Sequence, residues 1–599
     1  MFYLIFGWLL LGLISSVVGD ILLSIVVHKP STLSNRDRSL ISLWLGVGTL
    51  SLGLLSVSLV MPLTPALGSV LAALVLAIGA FRKQFGAIGW HWTTRQVVTF
   101  IVTIVGVAAW CNRPIVWLDT GYYHYSLIQW LGTYGTVPGL ALLFNNLGFT
   151  SSWFALTTPF NPVMLAGKPL ALTNGFAFLL LLGQGYSGVM GLQGQRRLAD
   201  WFNVAWCALL IPLILFLDPL SKILRSPSPD LPVTILVGVI AWVILRLSSE
   251  ASADRTTADL TAADRTATNL TSEGFLAIRS IPWALALIAV TFKLIALPLL
   301  PVTFLFAIWR QSYSAWIRTI ATGILILSPM VLGNLITSGC PLFPGHVLCL
   351  DLPWSPTIAS LNGAAISTHG WTTWYGTPPP GANPWLWSLG QWFMSSSKEK
   401  ITALGIGLGV LVAGWMVIRS AIGQKSAQKI GQKSRDRVGD LWVCGIGFLG
   451  LAFIMATSPF FRFSAPYILV LLAIGLARLL DSKWGKRRSG SVNSDINFDL
   501  NQRISKPALI ISLALVMLCI SLERRNLLLP PSMSFSSIWV TKETNGIVYR
   551  SPKSGDVVQE KVVHKDMCWT AEIPCSYGIS ADIHLRDPVR GIGGGFVRR

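Results

Sequence analysis

Residues 97–135 read VVTFIVTIVGVAAWCNRPIVWLDTGYYHYSLIQWLGTYG, an apolar run that ends near one acid and passes into an aromatic amphipathic segment. The stretch 97–110 has the composition of a membrane span, and Asp119 falls where that span ends. From Trp117 to Gly135 the pattern predicts a helix lying on the membrane surface. Tyr123, Leu127, Trp130 and Tyr134 recur at i, i+4, i+7 and i+11 and form one apolar, aromatic stripe. His124, Ser126, Gln129 and Thr133 fall largely off it. An acid at the head of such a helix has two readings. It caps the helix by accepting from a first-turn amide, or it meets a lipid head group and a water-soluble partner together. The local pattern leaves both open.

Outward from that stretch the chain repeats its theme. Of 599 residues, 52% are hydrophobic and only 12% charged, against about 25% charged in a soluble domain. Apolar runs recur at 2–27, 39–62, 63–81, 97–110, 170–192, 201–217, 233–247, 281–295, 296–309, 319–336, 401–418, 441–457, 464–480 and 507–522. They predict an all-α polytopic membrane protein of about 13–14 transmembrane helices. The runs 281–295 and 296–309 are short, and Pro298 and Pro301 favour two helices over one bent one. The first run lacks a basic start and a cleavage site, so it reads as an uncleaved span.

A net charge of +20 would suggest nucleic acid in a soluble chain. Here topology accounts for it. The alternate loops near 28–38, 82–96, 193–200, 246–280, 310–318, 419–440 and 478–506 hold about 27 Lys and Arg, and the opposite loops about 7. The first set is expected to face the cytoplasm. Both termini and Asp119 are then expected outside.

The outer segments 111–169 and 337–399 are long, aromatic and rich in Pro and Gly, and are expected to fold onto the membrane face over a cavity. Residues 248–275 are polar and of low complexity, the pattern of a disordered cytoplasmic linker. The tail 523–599 is mostly polar with short strand-like pieces, SIWVTKE and GIVYRSP, and reads as a small external domain. Cys207, Cys444 and Cys519 sit within spans and Cys111 at a span's edge; Cys340 and Cys349 share one outer loop, Cys568 and Cys575 the tail. An oxidising exterior permits two local disulfides, the turn at Pro574 favouring Cys568–Cys575.

Five residues are candidates for chemistry. Asp119 and His124 share the first large loop, Asp230 lies in SPSPDLP, and Arg462 lies in SPFFRFSAP. Lys293, in VTFKLIALP, needs a partner, a watery cavity or a snorkelling route to the interface. Asp20 and Asn174 read as packing contacts. A carboxylate that takes a proton from an attacking hydroxyl and a guanidinium that holds a phosphate suit transfer from a phosphate-linked lipid. A second carboxylate would orient the acceptor or bind a divalent metal such as magnesium or manganese. No P-loop or Rossmann glycine pattern occurs in a cytoplasmic segment, which favours a lipid-carried donor.

These residues resemble the GT-C superfamily of integral-membrane glycosyltransferases, which use polyprenyl-phosphate sugars. Asp119 in WLDTGYYHY is similar to the acidic motif that such enzymes carry in their first large external loop, and Arg462 in RFSAP to a later motif that contacts the lipid phosphate. The chain looks closest to an uncharacterised bacterial group of GT-C-like proteins over about residues 110–599, through DTGYYHYSLIQWLGTYGTVPGLALLFNNLGFTSSWF, SPSPDLP, TFKLIALPLL, the SGCPLFPGH loop and the tail cysteines. The resemblance implies N-terminal additional helices at 1–96, a GT-C-like core at 97–522 and a bacterial plasma membrane location with the catalytic loops periplasmic. It implies Asp119 as catalytic base, with His124, Asp230, Lys293 and Arg462 binding substrate. The partners implied are a polyprenyl-phosphate-linked sugar and a glycan, lipid or protein acceptor. Two features depart from the pattern. One Asp followed by Thr and Gly stands where several members carry paired acids, and Phe460 and Phe461 precede Arg462 where an acid was expected. The rival functions are a polysaccharide polymerase or ligase, a lipid or solute transporter, and a non-catalytic scaffold.

Overall fold

The computed structural model describes residues 1–26, 33–82, 93–193, 196–258, 278–309, 311–426, 436–489, 529, 539–552 and 567–599. Thirteen apolar helices carry the architecture: α1 (Phe2–Val26), α2 (Asn35–Ser58), α3 (Pro65–Phe81), α4 (Thr94–Cys111), α5 (Leu172–Gln193), α6 (Leu198–Phe216), α7 (Asp230–Ala258), α8 (Ile281–Phe292), α9 (Leu299–Ile308), α10 (Tyr313–Ser338), α11 (Ser397–Ser426), α12 (Asp436–Thr457) and α13 (Phe461–Ser489). Each of the first thirteen predicted spans falls on one of them. Nine described helices are long and apolar enough to cross a membrane, and α3, α4, α8 and α9 are shorter. The molecule is a mostly helical bundle that fits a multi-pass membrane protein. The predicted span 507–522 and much of the basic loops 28–38, 82–96, 419–440 and 478–506 lie outside the described residues.

At the centre stands α7. Its run LPVTILVGVIAWVIL is apolar on every side, the pattern of a helix enclosed by others, and 94% of its spanning window is buried. Helices α5, α6, α8, α12 and α13 surround it. Glycine permits the closest crossings. A Cβ on Gly19 would fall on the backbone of Ser42, and one on Gly46 on the backbone of Ser15, so α1 and α2 meet backbone to backbone. The first helices are not peripheral, because Gly48 of α2 packs against Ile288 of α8.

The described helix ends gather at two opposite ends of the bundle. One end is rich in ion pairs: Arg38–Asp20 at 2.7 Å, Arg246–Asp37 at 2.6 Å and Arg478–Asp440 at 2.8 Å. Asp20 is therefore an ion-pair partner, beyond the packing contact expected of it. The other end is aromatic and holds the amino terminus, which donates to Asn112 at 3.1 Å. The pair α8–α9 is a short hairpin whose tip, Lys293 to Pro298, points to the aromatic end; twelve residues of α8 rise only about 18 Å.

Three expectations are corrected. The helix predicted across Trp117–Gly135 is instead a π-helical turn, Thr120–His124, followed by an α-helix, Tyr125–Thr133. The wider π turn puts the stripe out of phase, and the tail covers the other side. His124 and Ser126, expected off the buried face, are buried, while Tyr134 is exposed. The predicted linker 248–275 begins as helix, because α7 runs on through Ala258; residues 259–275 lie outside those described. Asp119 makes no capping hydrogen bond.

The tail forms two hairpins, β1 (Trp539–Thr544) with β2 (Ile547–Pro552) and β3 (Ile583–Leu585) with β4 (Phe596–Arg598). Asn545 and Gly546, both at positive φ, make the first turn, the pairing a tight hairpin demands. Cys568–Cys575 and Cys340–Cys349 are disulfides. Tail residues Ile547, Trp569 and Phe596 share one apolar cluster with Tyr125, Trp130 and Leu140 of the segment 111–169.

Candidate functional site

Four chain segments meet at the aromatic end, each stopped by a different local device. Asp119 stands just before the π turn, where the amide of Thr120 donates to the carbonyl of Trp117 at 3.0 Å. Asp230 opens α7 after a serine–proline turn. That turn is fixed from below by Asn174, whose amide donates to the carbonyls of Ile223 at 2.9 Å and Ser228 at 3.0 Å. Asn174 thus supports the turn beneath Asp230. Lys293 occupies the extended break after α8 (φ −160°, ψ 136°), and Tyr467 of α13 donates to the carbonyl of Ile295 at 2.9 Å to hold that break. Arg462 is the second residue of α13, and Pro466 removes the amide that would otherwise bond its carbonyl.

These four groups form one charge cluster. Arg462 Nη1 lies 3.1 Å from Asp119 Oδ2, and its Nε lies 3.9 Å from Asp230 Oδ2. Lys293 Nζ donates to Asp230 Oδ1. The Asp230 side chain is 1% exposed, against 24% for Asp119, 20% for Arg462 and 24% for Lys293. Asp230 is therefore an internal counter-charge, favoured further by the positive end of α7; the other three are partly exposed, and Arg462 lines the cavity beside them. The Phe463 ring lies 4.6 Å from both cations and the Trp117 ring 5.0 Å from the guanidinium, close enough for cation–π attraction.

His124 lies behind this cluster. It is 1% exposed, with its ring 4.5 Å from Tyr123 and 5.0 Å from Phe154, and its Nδ1 has no hydrogen-bond partner among the described residues. Burial holds the imidazole down at about 4, against the opposing pull of Asp119. It is neutral at neutral pH and forms a wall of the site. Burial, then the Asp119 and Asp230 carboxylates, push the Tyr123 phenol well above its usual range, so it stays a neutral hydroxyl.

A cavity of about 460 Å³ opens beside Trp117, Phe460 and Arg462, and Lys222, Lys398 and Glu399 also line it. Three tryptophans of the segment 337–399 wall the adjoining corner. Trp371 donates to the carbonyl of Met455 at 2.7 Å, Trp392 to that of Pro459 at 3.1 Å, and Trp374 stacks on Phe460 at 5.0 Å. Lys222 and Lys398 escaped sequence reasoning because a single lysine in an outer loop carries no pattern. The two carboxylates do not suit a divalent ion, since both are engaged by cations, and no group of three His, Cys, Asp or Glu side chains gathers among the described residues.

A helical bundle of this kind, closed at one end by a partly buried quartet of two acids and two bases beside a cavity, fits a multi-pass membrane protein with a polar site at a loop-covered face. The chain belongs to the family DUF8201, a domain of unknown function, whose model matches residues 1–469. Asp119, His124, Asp230, Lys293 and Arg462 all lie within that span, and the tail lies beyond it. No curated protein and no solved structure matches the chain.

Proposed function

We propose that the protein is a membrane glycosyltransferase that moves a sugar from a polyprenyl-phosphate donor to a cell-envelope acceptor at the aromatic end of the bundle, the external face. The reading rests on the likeness of WLDTGYYHY and RFSAP to GT-C enzymes. The observation that carries it is the 3.1 Å pair between Asp119 and Arg462, two residues far apart in sequence, beside an aromatic, cationic cavity.

The chemistry follows from exchange of partners. A donor phosphate entering the cavity competes with Asp119 for the guanidinium, which binds phosphate through paired hydrogen bonds. Asp119, released, accepts the proton of the acceptor hydroxyl. The acceptor oxygen forms a bond to the anomeric carbon on the face opposite the phosphate, the carbon–oxygen bond to phosphate breaks, and polyprenyl phosphate departs with the electron pair. The configuration inverts. Arg462 meets the charge that develops on the leaving phosphate. Asp230 keeps Arg462 and Lys293 in position without entering the cavity. Along the cavity wall Lys222 is paired with Asp218 at 2.9 Å, and Lys398 stands with Glu399.

The test is transfer by the purified full-length protein supplied with labelled polyprenyl-phosphate sugars and envelope extracts. Asp119→Asn is expected to lower kcat by about 10²–10⁴-fold, the range of a lost general base, with donor binding retained. Undiminished transfer by Asp119→Asn removes the catalytic assignment.

A further inference from the structure

Gly121, two residues after Asp119, is covered by Trp569 of the tail. The Trp569 amide donates to the Gly121 carbonyl at 2.9 Å, and its indole lies so close that a methyl on Gly121 would overlap the ring. Trp569 is 1% exposed and sits at φ 34°, a region that side chains other than glycine rarely occupy. A residue is kept there only where its surroundings over-determine it. They do so here. The Cys568–Cys575 disulfide closes the loop, the amide of Ala571 donates to the carbonyl of Cys568 at 2.7 Å, and the Ser576 hydroxyl donates to the Leu143 carbonyl at 2.6 Å. Tyr577 packs its ring 5.1 Å from Tyr122, in the same π turn, and 5.0 Å from Phe144.

We propose that this disulfide-closed loop clamps the reaction site, with Trp569 the positioning residue that holds the turn bearing Asp119 against Arg462. Asp119 makes no capping bond to the turn that follows it, so its place is set by its pair with Arg462 and by the backbone on either side. Five-residue π turns are uncommon and gather at functional sites, where a neighbouring element must keep them from relaxing to α-helix. Here that element comes from beyond residue 469, outside the family match. The clamp is independent of the transferase reading in its structural part and rests on it only for the kinetic consequence.

The experiment uses the full-length protein in detergent and two readouts. Hydrogen exchange at the amides of residues 120–124 reports the turn, and transfer from a labelled polyprenyl-phosphate sugar reports the reaction. Trp569→Ala, Gly121→Ala and the double variant Cys568→Ser, Cys575→Ser are each expected to speed exchange there by about tenfold or more. Trp569→Ala combined with Gly121→Ala is expected to go no further than either alone, because both break one contact. Transfer is expected to fall by about 10²-fold in kcat with donor KM nearly unchanged, since a misplaced base loses the transition state and not the donor. Trp569→Phe is expected to restore much of both. Gly121→Ala attacks the contact from the other side and keeps the test valid where Trp569→Ala unfolds the tail. Unchanged exchange at 120–124 in Trp569→Ala and Gly121→Ala overturns the clamp. So does a lower melting temperature with faster exchange but unaltered kcat. If exchange responds as expected and the wild-type protein transfers nothing, the clamp stands and the transferase reading falls.

Discussion

Asp230 is the residue on which the charge cluster depends. It is the most enclosed of the four and faces both Lys293 and Arg462. Replacing it with Asn leaves two cations without their internal counter-charge, and removing one partner of a buried pair costs about 3–5 kcal/mol. Asp230→Asn is therefore expected to lower the thermal unfolding midpoint markedly, and Asp119→Asn, whose partner reaches the cavity, much less. Parallel thermal scans of the two variants decide it. His124 makes a second prediction. Its folded value of about 4 lies below the ordinary 6.5, so the unfolded chain takes up the proton first. Stability is complete above 6.5 and declines as pH falls toward 4. At about pH 5 the loss from this one group is about 2 kcal/mol. His124→Gln should be flatter than the wild type across that window in unfolding midpoints measured against pH.

Elements position these residues by their ends. Helix α7 begins at Asp230, α8 stops at Lys293 and α13 begins beside Arg462, so the site gathers where helices break. That much was legible in sequence: charged residues at or within apolar spans need partners, and Pro298, Pro301 and the serine–proline turn mark the breaks. Who pairs with whom was not, because Arg462 and Asp119 are 343 positions apart and Lys293 and Asp230 are 63 apart, and periodicity carries no information across such distances. His124 was placed off the apolar stripe because an α-helical period was assumed where the chain adopts a π turn. Trp569 stood in the CW…PC stretch of the tail, but that pattern does not say what the indole covers. The helix crossings carry their own prediction. Gly46→Leu forces α2 off the backbone of α1 at Ser15, and overpacking of this kind costs about 1–3 kcal/mol. Thermal stability should drop while the Cys340–Cys349 and Cys568–Cys575 disulfides stay closed, as read by free-thiol titration.

At the scale of the whole molecule, the charge pattern and the loop pattern agree. The pairs Arg246–Asp37 and Arg478–Asp440 tie helix ends at one end; the aromatic segments, the charge cluster, both disulfides and the described tail share the other. The two ends have different physical tasks. Buried pairs such as Arg246–Asp37 tie helix ends together at the first. At the second, helices break early, side chains with opposite charges are left partly open, and a separate folded segment closes over them. The family match ends at residue 469, within α13, so the first twelve helices and the charge cluster lie within the shared domain while the closing segment does not. A bundle held together by apolar helix packing can keep partly open charges at one face because its stability is supplied elsewhere, around α7.

The account turns on Arg462 exchanging Asp119 for a lipid phosphate, and a structure of the full-length protein bound to a polyprenyl phosphate tests that most directly. The phosphate is expected within hydrogen-bonding distance of the Arg462 guanidinium, in the cavity beside Trp117 and Phe460, with the Asp119 carboxylate turned free toward the acceptor side. A bound lipid phosphate elsewhere on the protein, with the Arg462–Asp119 pair intact, contradicts it.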